Sequence, residues 1–143
     1  MTKIEQLAIE GHGAIQVDES PDVVPLIVFI AGPIKFWWQE GQWDTPQHKQ
    51  YVIWRTAVET ILVKSGFAVY SPYKAIRGRW NAKLQDINNA AILAADYLLN
   101  ITPPNIPASG TDGEVVYALS NGISIIYAPP GGEIEIKTLL SKI

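Results

Sequence analysis

Four short apolar segments, each followed by a segment with helical spacing, constrain the fold of this chain more than any other feature. The strand-like segments cover residues 26–30, 67–70, 96–101 and 123–127, and the helix-like segments cover 51–64, 83–95, 111–120 and 133–143. This alternation favours a parallel sheet with helices on both faces, because a strand buried on both sides has a continuous apolar sequence. We therefore predict an α/β fold, a doubly wound parallel sheet of four to five strands.

The composition narrows the class of protein. The 143 residues, 48% hydrophobic and 17% charged, suffice for one folded domain, and the net charge of −3 argues against binding to a nucleic-acid polymer. There is no cysteine and there are only two histidines, His12 and His48, so we predict neither a metal site nor a cofactor. His48 has no evident partner and is expected at the surface.

No apolar run can span a membrane and residues 1–10 lack a signal-peptide core, which predicts a cytoplasmic protein.

The chain divides into an extension and a domain. Residues 1–24 are predicted to be an N-terminal extension that forms a hairpin or an extra strand, and residues 25–143 form the domain. In doubly wound folds, ligands bind at the carboxyl ends of the parallel strands. The loops 31–49, 71–81, 101–111 and 127–132 build that edge here, so we expect the functional site among them.

The segment 107–114, Pro-Ala-Ser-Gly-Thr-Asp-Gly-Glu, follows a predicted strand and opens a helix. The free N–H groups at this helix start, at Gly110, Thr111 and Asp112, favour an anionic ligand. Glu114 falls in the predicted first turn, where the helix dipole favours the ionised carboxylate. Such a carboxylate can attack an anomeric carbon or stabilise an oxocarbenium-like transition state. The spacing of Thr111 and Glu114 also fits a capping box, which would make both residues structural.

Asp86 is a second candidate for chemistry. It lies off the apolar stripe of its predicted helix, which Leu84, Ile87 and Ala91 define. A carboxyl group there can position a substrate or pass a proton to a leaving group. The alternative is an ordinary solvated acid on a helix surface.

Several cations lie in the loops at the predicted ligand edge. Gly32 allows a ligand to approach the backbone after the first strand, and Lys35 can meet a phosphate there. Lys74, Arg77 and Arg79 surround a glycine in the next loop and suit a 5′-phosphate. The alternatives are a plain strand-ending turn and solvated surface charges.

Aromatic side chains crowd the same edge. Phe36, Trp37, Trp38 and Trp43 lie in the first loop, and Trp80 lies in the second. Aromatic faces stack on nucleobases, so Trp37 and Trp38 are candidates for substrate binding. A hydrophobic lid or a subunit interface explains the same enrichment.

Three segments in the same order resemble the nucleoside 2-deoxyribosyltransferase family, including its nucleotide N-glycosidase branch of deoxynucleoside 5′-monophosphate and CMP hydrolases. The segments are 28–34 (Val-Phe-Ile-Ala-Gly-Pro-Ile), Asp86 followed by Ala95 and Asp96, and 110–114 (Gly-Thr-Asp-Gly-Glu) followed by Ala118. The resemblance spans about residues 25–127, which identifies 25–143 as a nucleoside 2-deoxyribosyltransferase-like domain. The loop 106–111 looks most similar to the CMP-hydrolase branch.

The resemblance implies a flavodoxin-like fold and a homo-oligomer, a dimer or larger, with active sites near subunit interfaces. It implies that Glu114 is the nucleophile and that Asp86 is the acid that assists departure of the base. It places Ser109 near a position that contacts phosphate or sugar. The residues that match the first loop of the family are Gly32, Pro33, Ile34 and Lys35.

The expected function is therefore cleavage or transfer at the N-glycosidic bond of a (deoxy)nucleoside or nucleoside 5′-monophosphate through a glycosyl-enzyme intermediate. In glycosidases whose reaction retains the configuration at the anomeric carbon, the two catalytic carboxyl groups lie about 5–5.5 Å apart, and the same separation is expected here. The loop cations favour a hydrolase of monophosphates over a transferase. Three alternatives remain: a phosphoribohydrolase of the cytokinin-activating type, a non-catalytic nucleotide-binding module on the same fold, and a purely structural partner protein.

Overall fold

The computed structural model describes residues 15–16, 24–34, 36–37, 41–72 and 82–142. Within these ranges, one sheet of five strands is flanked by helices. The elements are β1 (Ile15–Gln16), β2 (Ile27–Ala31), α1 (Pro46–Lys64), β3 (Ala68–Tyr70), α2 (Ala82–Ala94), β4 (Tyr97–Asn100), α3 (Ser109–Ser120), β5 (Ser124–Tyr127) and α4 (Glu133–Leu140).

The strands lie in the order β1-β3-β2-β4-β5. The four strands from β2 to β5 are parallel, and β1 pairs antiparallel with β3 at the edge. The chain leaves β2 for β3 on one side and returns to β4 on the other, so the strand order reverses between β2 and β4. The predicted α/β fold with a doubly wound parallel sheet is confirmed, and the reversal marks where ligands bind in such sheets.

Helices cover both faces of the sheet. Side chains of consecutive strand residues point in opposite directions, so they pack in two separate core layers. Val28 and Ile30 face a core layer that α1 and α4 close, where Leu62 and Leu139 are fully buried. On the other face of the same strand, Phe29 and Ala31 pack in a second layer, which α2 and α3 close. The members that α2 and α3 contribute to this second layer include Ile87, Ala91, Ile92 and Ala118.

Two helices begin two or more residues earlier than the sequence pattern predicts. α1 begins at Pro46 rather than at residue 51, because the Thr45 side chain accepts a hydrogen bond from the His48 N–H and a proline occupies the first turn. α3 begins at Ser109 rather than at residue 111, and Ala108 precedes it without a side-chain cap. Both differences affect residues of the candidate site.

Asp96 ties the amino ends of two neighbouring strands together. Its carboxylate Oδ2 accepts a hydrogen bond from the Ile27 N–H at 2.8 Å, and its own N–H donates to the Ile27 carbonyl at 2.8 Å. These bonds lie at the edge of the sheet opposite to the carboxyl ends of the strands. Asp96 therefore fixes the alignment of β2 with β4 and stands away from the predicted ligand edge.

In the part of the chain that the structure describes, no helix is long and apolar enough to cross a membrane.

Candidate active site

Glu114 lies in the first half of α3, the helix that follows β4 and the strand-order reversal. Only 9% of the residue is exposed. Its Oε2 atom is buried and has no hydrogen-bond partner among the described residues. A buried carboxylate oxygen without a partner is costly, so the atom is poised to meet a hydrogen-bond donor or an electrophile that the described residues do not supply.

The capping-box interpretation of Glu114 is wrong. Ala108 is the N-cap of α3 and makes no side-chain cap bond, so Thr111 and Glu114 are the third and sixth residues of the helix. Asp112, not Glu114, is the acidic residue of the first turn. Thr111 is 3% exposed and Glu114 faces the interior. Helix capping therefore does not explain why Glu114 is buried.

The expectation that the helix dipole keeps Glu114 ionised is also corrected. Burial raises the pKa of Glu114 from 4.5 to about 7, and the positive charge of Arg55 acts against this rise. Glu114 lies beyond the first turn, where the influence of the dipole has faded. Desolvation therefore outweighs the dipole, and the carboxyl group titrates close to neutral pH.

A buried polar network on α1 lies at the same edge of the sheet. The Arg55 guanidinium donates from Nε and Nη2 to Ser71 Oγ, at 3.0 and 2.8 Å, and from Nη2 to the Ile30 carbonyl at 3.2 Å. Ser71 Oγ in turn donates to Glu59 Oε1 at 2.8 Å. Arg55 Nε and Glu59 Oε1 are 3.5 Å apart and both side chains are 2% exposed, so the ion pair is almost completely removed from solvent.

Tyr51 joins this network to the first loop. Its hydroxyl oxygen accepts a hydrogen bond from Arg55 Nη1 at 2.7 Å. A Cβ atom on Gly32 would collide with the Tyr51 hydroxyl and would come within 3.2 Å of Arg55 and of Ile101. Only glycine fits at position 32, because the residue after β2 packs directly on the Tyr51–Arg55 pair.

Glu114 acts electrostatically on two buried phenols, Tyr70 and Tyr51. Burial raises the pKa of Tyr70 to about 12, and the charge of Glu114 contributes to the increase. The pKa of Tyr51 is also raised, mainly by burial, with a smaller contribution from Glu114. Both phenols therefore stay protonated at neutral pH.

The predicted residues of the first loop lie at the carboxyl end of β2. Gly32 and Pro33 are buried and Ile34 is half-buried. Trp37 is completely buried in the first core layer, with its ring centroid 5.2 Å from that of Tyr51 and 4.9 Å from that of His48. Its ring is packed within the core, and its Nε1 atom has no hydrogen-bond partner within the described ranges.

His48 is not at the surface, as the sequence suggested. It is 4% exposed, and its Nδ1 donates to the Trp43 carbonyl at 2.6 Å. The Trp43 ring packs on it with a centroid distance of 4.3 Å. Burial lowers the pKa of His48, so the imidazole is neutral in this aromatic cluster.

Asp86 and the residues at the start of α3 are more open to solvent. Asp86 is exposed on α2, whereas Asn88, two residues further, is 1% exposed and carries a buried Oδ1 without a partner in the described structure. Ser109, Gly110 and Asp112 are exposed. The predicted residues that lie outside the described ranges are Lys35, Trp38, Lys74, Arg77 and Arg79.

Sequence reasoning missed the polar residues that α1 contributes. Tyr51, Arg55 and Glu59 recur at intervals of four residues and lie on one face of the helix together with Val58 and Leu62. Thr56 and Ile61, which also recur at helical spacing in this segment, are exposed. The signal was present as a polar row beside two buried aliphatic residues, but charged residues at helical spacing ordinarily indicate a solvated face.

Comparison with known proteins supports the fold. No protein-family model matches the sequence, and no curated protein matches it. Among solved structures, the chain is similar to a 2-desoxiribosyltransferase from Leishmania mexicana, with 21% sequence identity and a TM-score of 0.53. The similarity covers 73% of this chain and 65% of that chain, so the aligned part spans about two thirds of the known enzyme. At this identity the comparison establishes a shared flavodoxin-like α/β fold.

Proposed function

We propose that this chain is an enzyme that cleaves or transfers the N-glycosidic bond of a (deoxy)nucleoside or nucleoside 5′-monophosphate, with Glu114 as nucleophile. The observation that carries the proposal is the buried Glu114 carboxyl group, whose Oε2 lacks a partner among the described residues at the ligand edge of the sheet. Support also comes from the similarity of fold to a 2-desoxiribosyltransferase.

In the proposed mechanism, Glu114 attacks C1′ of the bound sugar. The bond between C1′ and the base nitrogen breaks, its electron pair leaves with the base, and an ester forms between the sugar and Glu114. Water then cleaves this ester in a hydrolase, or a second base displaces the carboxylate in a transferase. Two displacements at C1′ retain its configuration. The reaction requires the ionised carboxylate, and a pKa of about 7 means that a substantial fraction is ionised at neutral pH.

The departing base takes a proton in this scheme, and Asp86 is the proposed donor. Its exposed position on α2 favours transfer through a water molecule rather than by direct contact. Asn88 is closer to the interior, and its amide oxygen can accept a hydrogen bond from a substrate hydroxyl or amine. Asn88 has no ionisable proton to give, so the acid role stays with Asp86 in the proposal.

The substrate is proposed to bind between the loop after β2 and the start of α3. In this proposal the first side is formed by Pro33 and Ile34, and the second by Ser109 and Gly110, exposed residues at the helix start whose N–H groups would face the ligand. Lys35, Lys74, Arg77 and Arg79 are proposed to bind a 5′-phosphate, and Trp38 to stack on the base. A phosphate requirement favours the hydrolase over the transferase.

We expect the chain to assemble as a homo-oligomer through α2 and α3. Leu93, Val116 and Leu119 are large apolar side chains exposed at 48%, 63% and 61% on these neighbouring helices. Light scattering coupled to size-exclusion chromatography measures the assembly directly. Because Glu114 lies on α3, an interface there would bring a second subunit close to the site.

The test is a chromatographic assay of free base released from nucleosides and 5′-monophosphates, both ribo and deoxy, with and without an acceptor base. Glu114→Ala and Glu114→Gln are expected to lower the rate by about 10³-fold or more, because both remove the nucleophile. Glu135→Gln, which changes an exposed carboxyl group on α4, is the matched control and is expected to keep the wild-type rate.

The outcomes separate the alternatives. Base release that depends on the acceptor identifies a transferase, and release that does not depend on it identifies a hydrolase. Full base release by Glu114→Gln would contradict the nucleophile role. Binding of a nucleotide by the wild-type chain without any base release would favour the non-catalytic binding module instead.

A further inference from the structure

The carboxyl end of β2 meets a proline where its pairing with β3 would continue. At the other end of the strand, the Ala68 N–H donates to the Leu26 carbonyl at 2.9 Å, and the two strands pair in parallel in this register. In a parallel ladder, the carbonyls that face one neighbour recur every second residue, so the Ile30 carbonyl also faces β3. One further step of the ladder would pair this carbonyl with the N–H of residue 72, but Pro72 has no N–H.

Arg55 supplies a donor at this point from α1. Its Nη2 atom donates to the Ile30 carbonyl at 3.2 Å. Its Nε and Nη2 atoms also donate to Ser71 Oγ, at 3.0 and 2.8 Å, and Ser71 directly follows β3. The planar fork of a guanidinium can bond both strand ends at once. Arg55 therefore joins β2 to the end of β3 just where the backbone ladder stops.

The same guanidinium supports the residue that follows β2. Its Nη1 atom donates to the Tyr51 hydroxyl at 2.7 Å, and that hydroxyl lies where a Cβ atom of residue 32 would be. On the other side, a Cβ atom on Gly32 would come within 3.2 Å of Ile101 Cγ1. The Ile101 N–H donates to the Ala31 carbonyl at 2.9 Å. Gly32 thus packs between the network of α1 and the residue after β4, at the strand-order reversal.

Stability alone is a weak reason for this arrangement. Arg55 and Glu59 are each 2% exposed, and their Nε and Oε1 atoms are 3.5 Å apart. Removing two charges from water is costly, and a well-packed apolar pair is commonly as stable as a buried ion pair or more stable. Glu59 balances the charge of Arg55 and accepts a hydrogen bond from Ser71 Oγ at 2.8 Å. The pair therefore keeps a guanidinium buried beneath the ligand edge, where apolar side chains could fill the space but make none of these bonds.

We propose that Arg55 is a positioning residue for ligand binding, which replaces the backbone donor that Pro72 lacks and thereby holds the turn after β2, residues 32–34, in place. The inference rests on the proposed function insofar as the ligand binds against this turn. Arg55 is buried beneath the turn, so it acts through the strand ends and through Tyr51 rather than by contact with the ligand.

Amide hydrogen exchange, measured by NMR in the free protein, tests the positioning. The probe is the Ile101 N–H, which is bonded to the carbonyl just before the turn, and the internal reference is the Ala68 N–H at the opposite end of β2. Arg55→Met/Glu59→Met replaces the ion pair by two apolar side chains and leaves no unpaired charge. In this variant Ile101 is expected to exchange about tenfold faster, while Ala68 keeps its rate.

The matched control is Glu135→Met/Lys137→Met, which makes the same replacement at an exposed acid and an exposed base of α4. Both exchange rates are expected to stay at the wild-type values. Arg55→Lys keeps the charge balance with Glu59 but loses the planar fork, so a smaller acceleration at Ile101 is expected. This variant decides the question even where Arg55→Met/Glu59→Met does not fold.

A rescue variant separates positioning from packing. Pro72→Ala, added to Arg55→Lys or to the apolar pair, returns a backbone N–H at the next step of the ladder. It is expected to slow the exchange of Ile101 again, which an effect of packing alone would not produce. Failure of this rescue would overturn the inference, because the Ile30 carbonyl would then not be the point of action. Wild-type exchange of Ile101 in both Arg55 variants, or equal acceleration of Ile101 and Ala68, would overturn it as well.

The kinetics of base release separate the inference from the proposed function. Arg55→Met/Glu59→Met is expected to raise KM about tenfold and to change kcat less, because the turn contributes to binding of substrate and transition state alike. If the wild-type chain releases no base, the proposed function fails while hydrogen exchange still tests whether Arg55 holds the turn. If base is released with an unchanged KM although Ile101 exchanges faster, the inference fails while the function stands.

Discussion

Glu114 and Gly32 illustrate how single residues define this site. Glu114 was predicted as the reactive group from its motif, and its place at the ligand edge follows from the predicted strand order. Its burial and its raised pKa were not predictable, because they depend on how the packed molecule removes the carboxyl group from solvent, with the charge of Arg55 acting against the rise. Arg55 is bound through contacts with residues 16 and 25 positions away, which a local periodicity cannot reveal.

Gly32 offers a test of the contact between the first loop and the network. Gly32→Ala is expected to lower the free energy of unfolding by about 1–3 kcal/mol, because the new methyl group overlaps the Tyr51 hydroxyl. Tyr51→Phe removes that hydroxyl, so the double variant is expected to recover part of the loss. Urea denaturation of both single variants and the double variant measures this coupling. Strictly additive losses would contradict the proposed contact.

At the scale of elements, helix starts were harder to predict than helices. The sequence predicted all four helices that the described residues contain, yet α1 begins earlier and α3 begins without a capping box. Residues 46–50 are polar and add nothing to an apolar stripe, although Thr45 followed by Pro46 is a known helix-start signal. Residues 15–16 pair with 69–70, and they lie within the extension that was predicted to form a hairpin or an extra strand.

The start of α1 can be tested separately from the chemistry. Thr45→Ala is expected to lower the free energy of unfolding by about 1 kcal/mol, because the His48 N–H loses its side-chain partner. Thr45→Ser keeps the hydroxyl and is the matched control. Thermal denaturation measures both. Equal stability of Thr45→Ala and the wild type would mean that the cap contributes nothing to α1.

At the scale of the whole molecule, the buried Glu114 carboxyl group lowers the stability of the folded state. Above pH 4.5 the Glu114 carboxyl group ionises in the unfolded chain but stays protonated in the folded chain up to about pH 7. The folded state therefore binds more protons in this range, and stability falls as pH rises from about 4.5 to about 7. Each tenfold difference in proton affinity is worth about 1.4 kcal/mol, so the total cost above pH 7 is roughly 3 kcal/mol.

Glu114→Gln removes this cost and is expected to be more stable than the wild type by up to about 3 kcal/mol above pH 7. Near pH 4 the two proteins are expected to have similar stability, since the wild-type carboxyl group is then protonated in both states. His48, whose pKa is lowered by burial, reduces stability on the acid side in both proteins, so the difference between them isolates Glu114. A constant difference across this range, measured by urea denaturation, would contradict the assignment.

The anchoring of Arg55 has a consequence for engineering. Its described hydrogen-bond partners belong to a helix and to the ends of two strands. Exchange of the loop 103–108 before α3 for one of different length and sequence would keep these anchors of Arg55, because it alters neither the helix nor the two strand ends. A designer can thus vary the loop beside the candidate site and keep the buried network beneath it, and select libraries of loop variants without rebuilding that network each time.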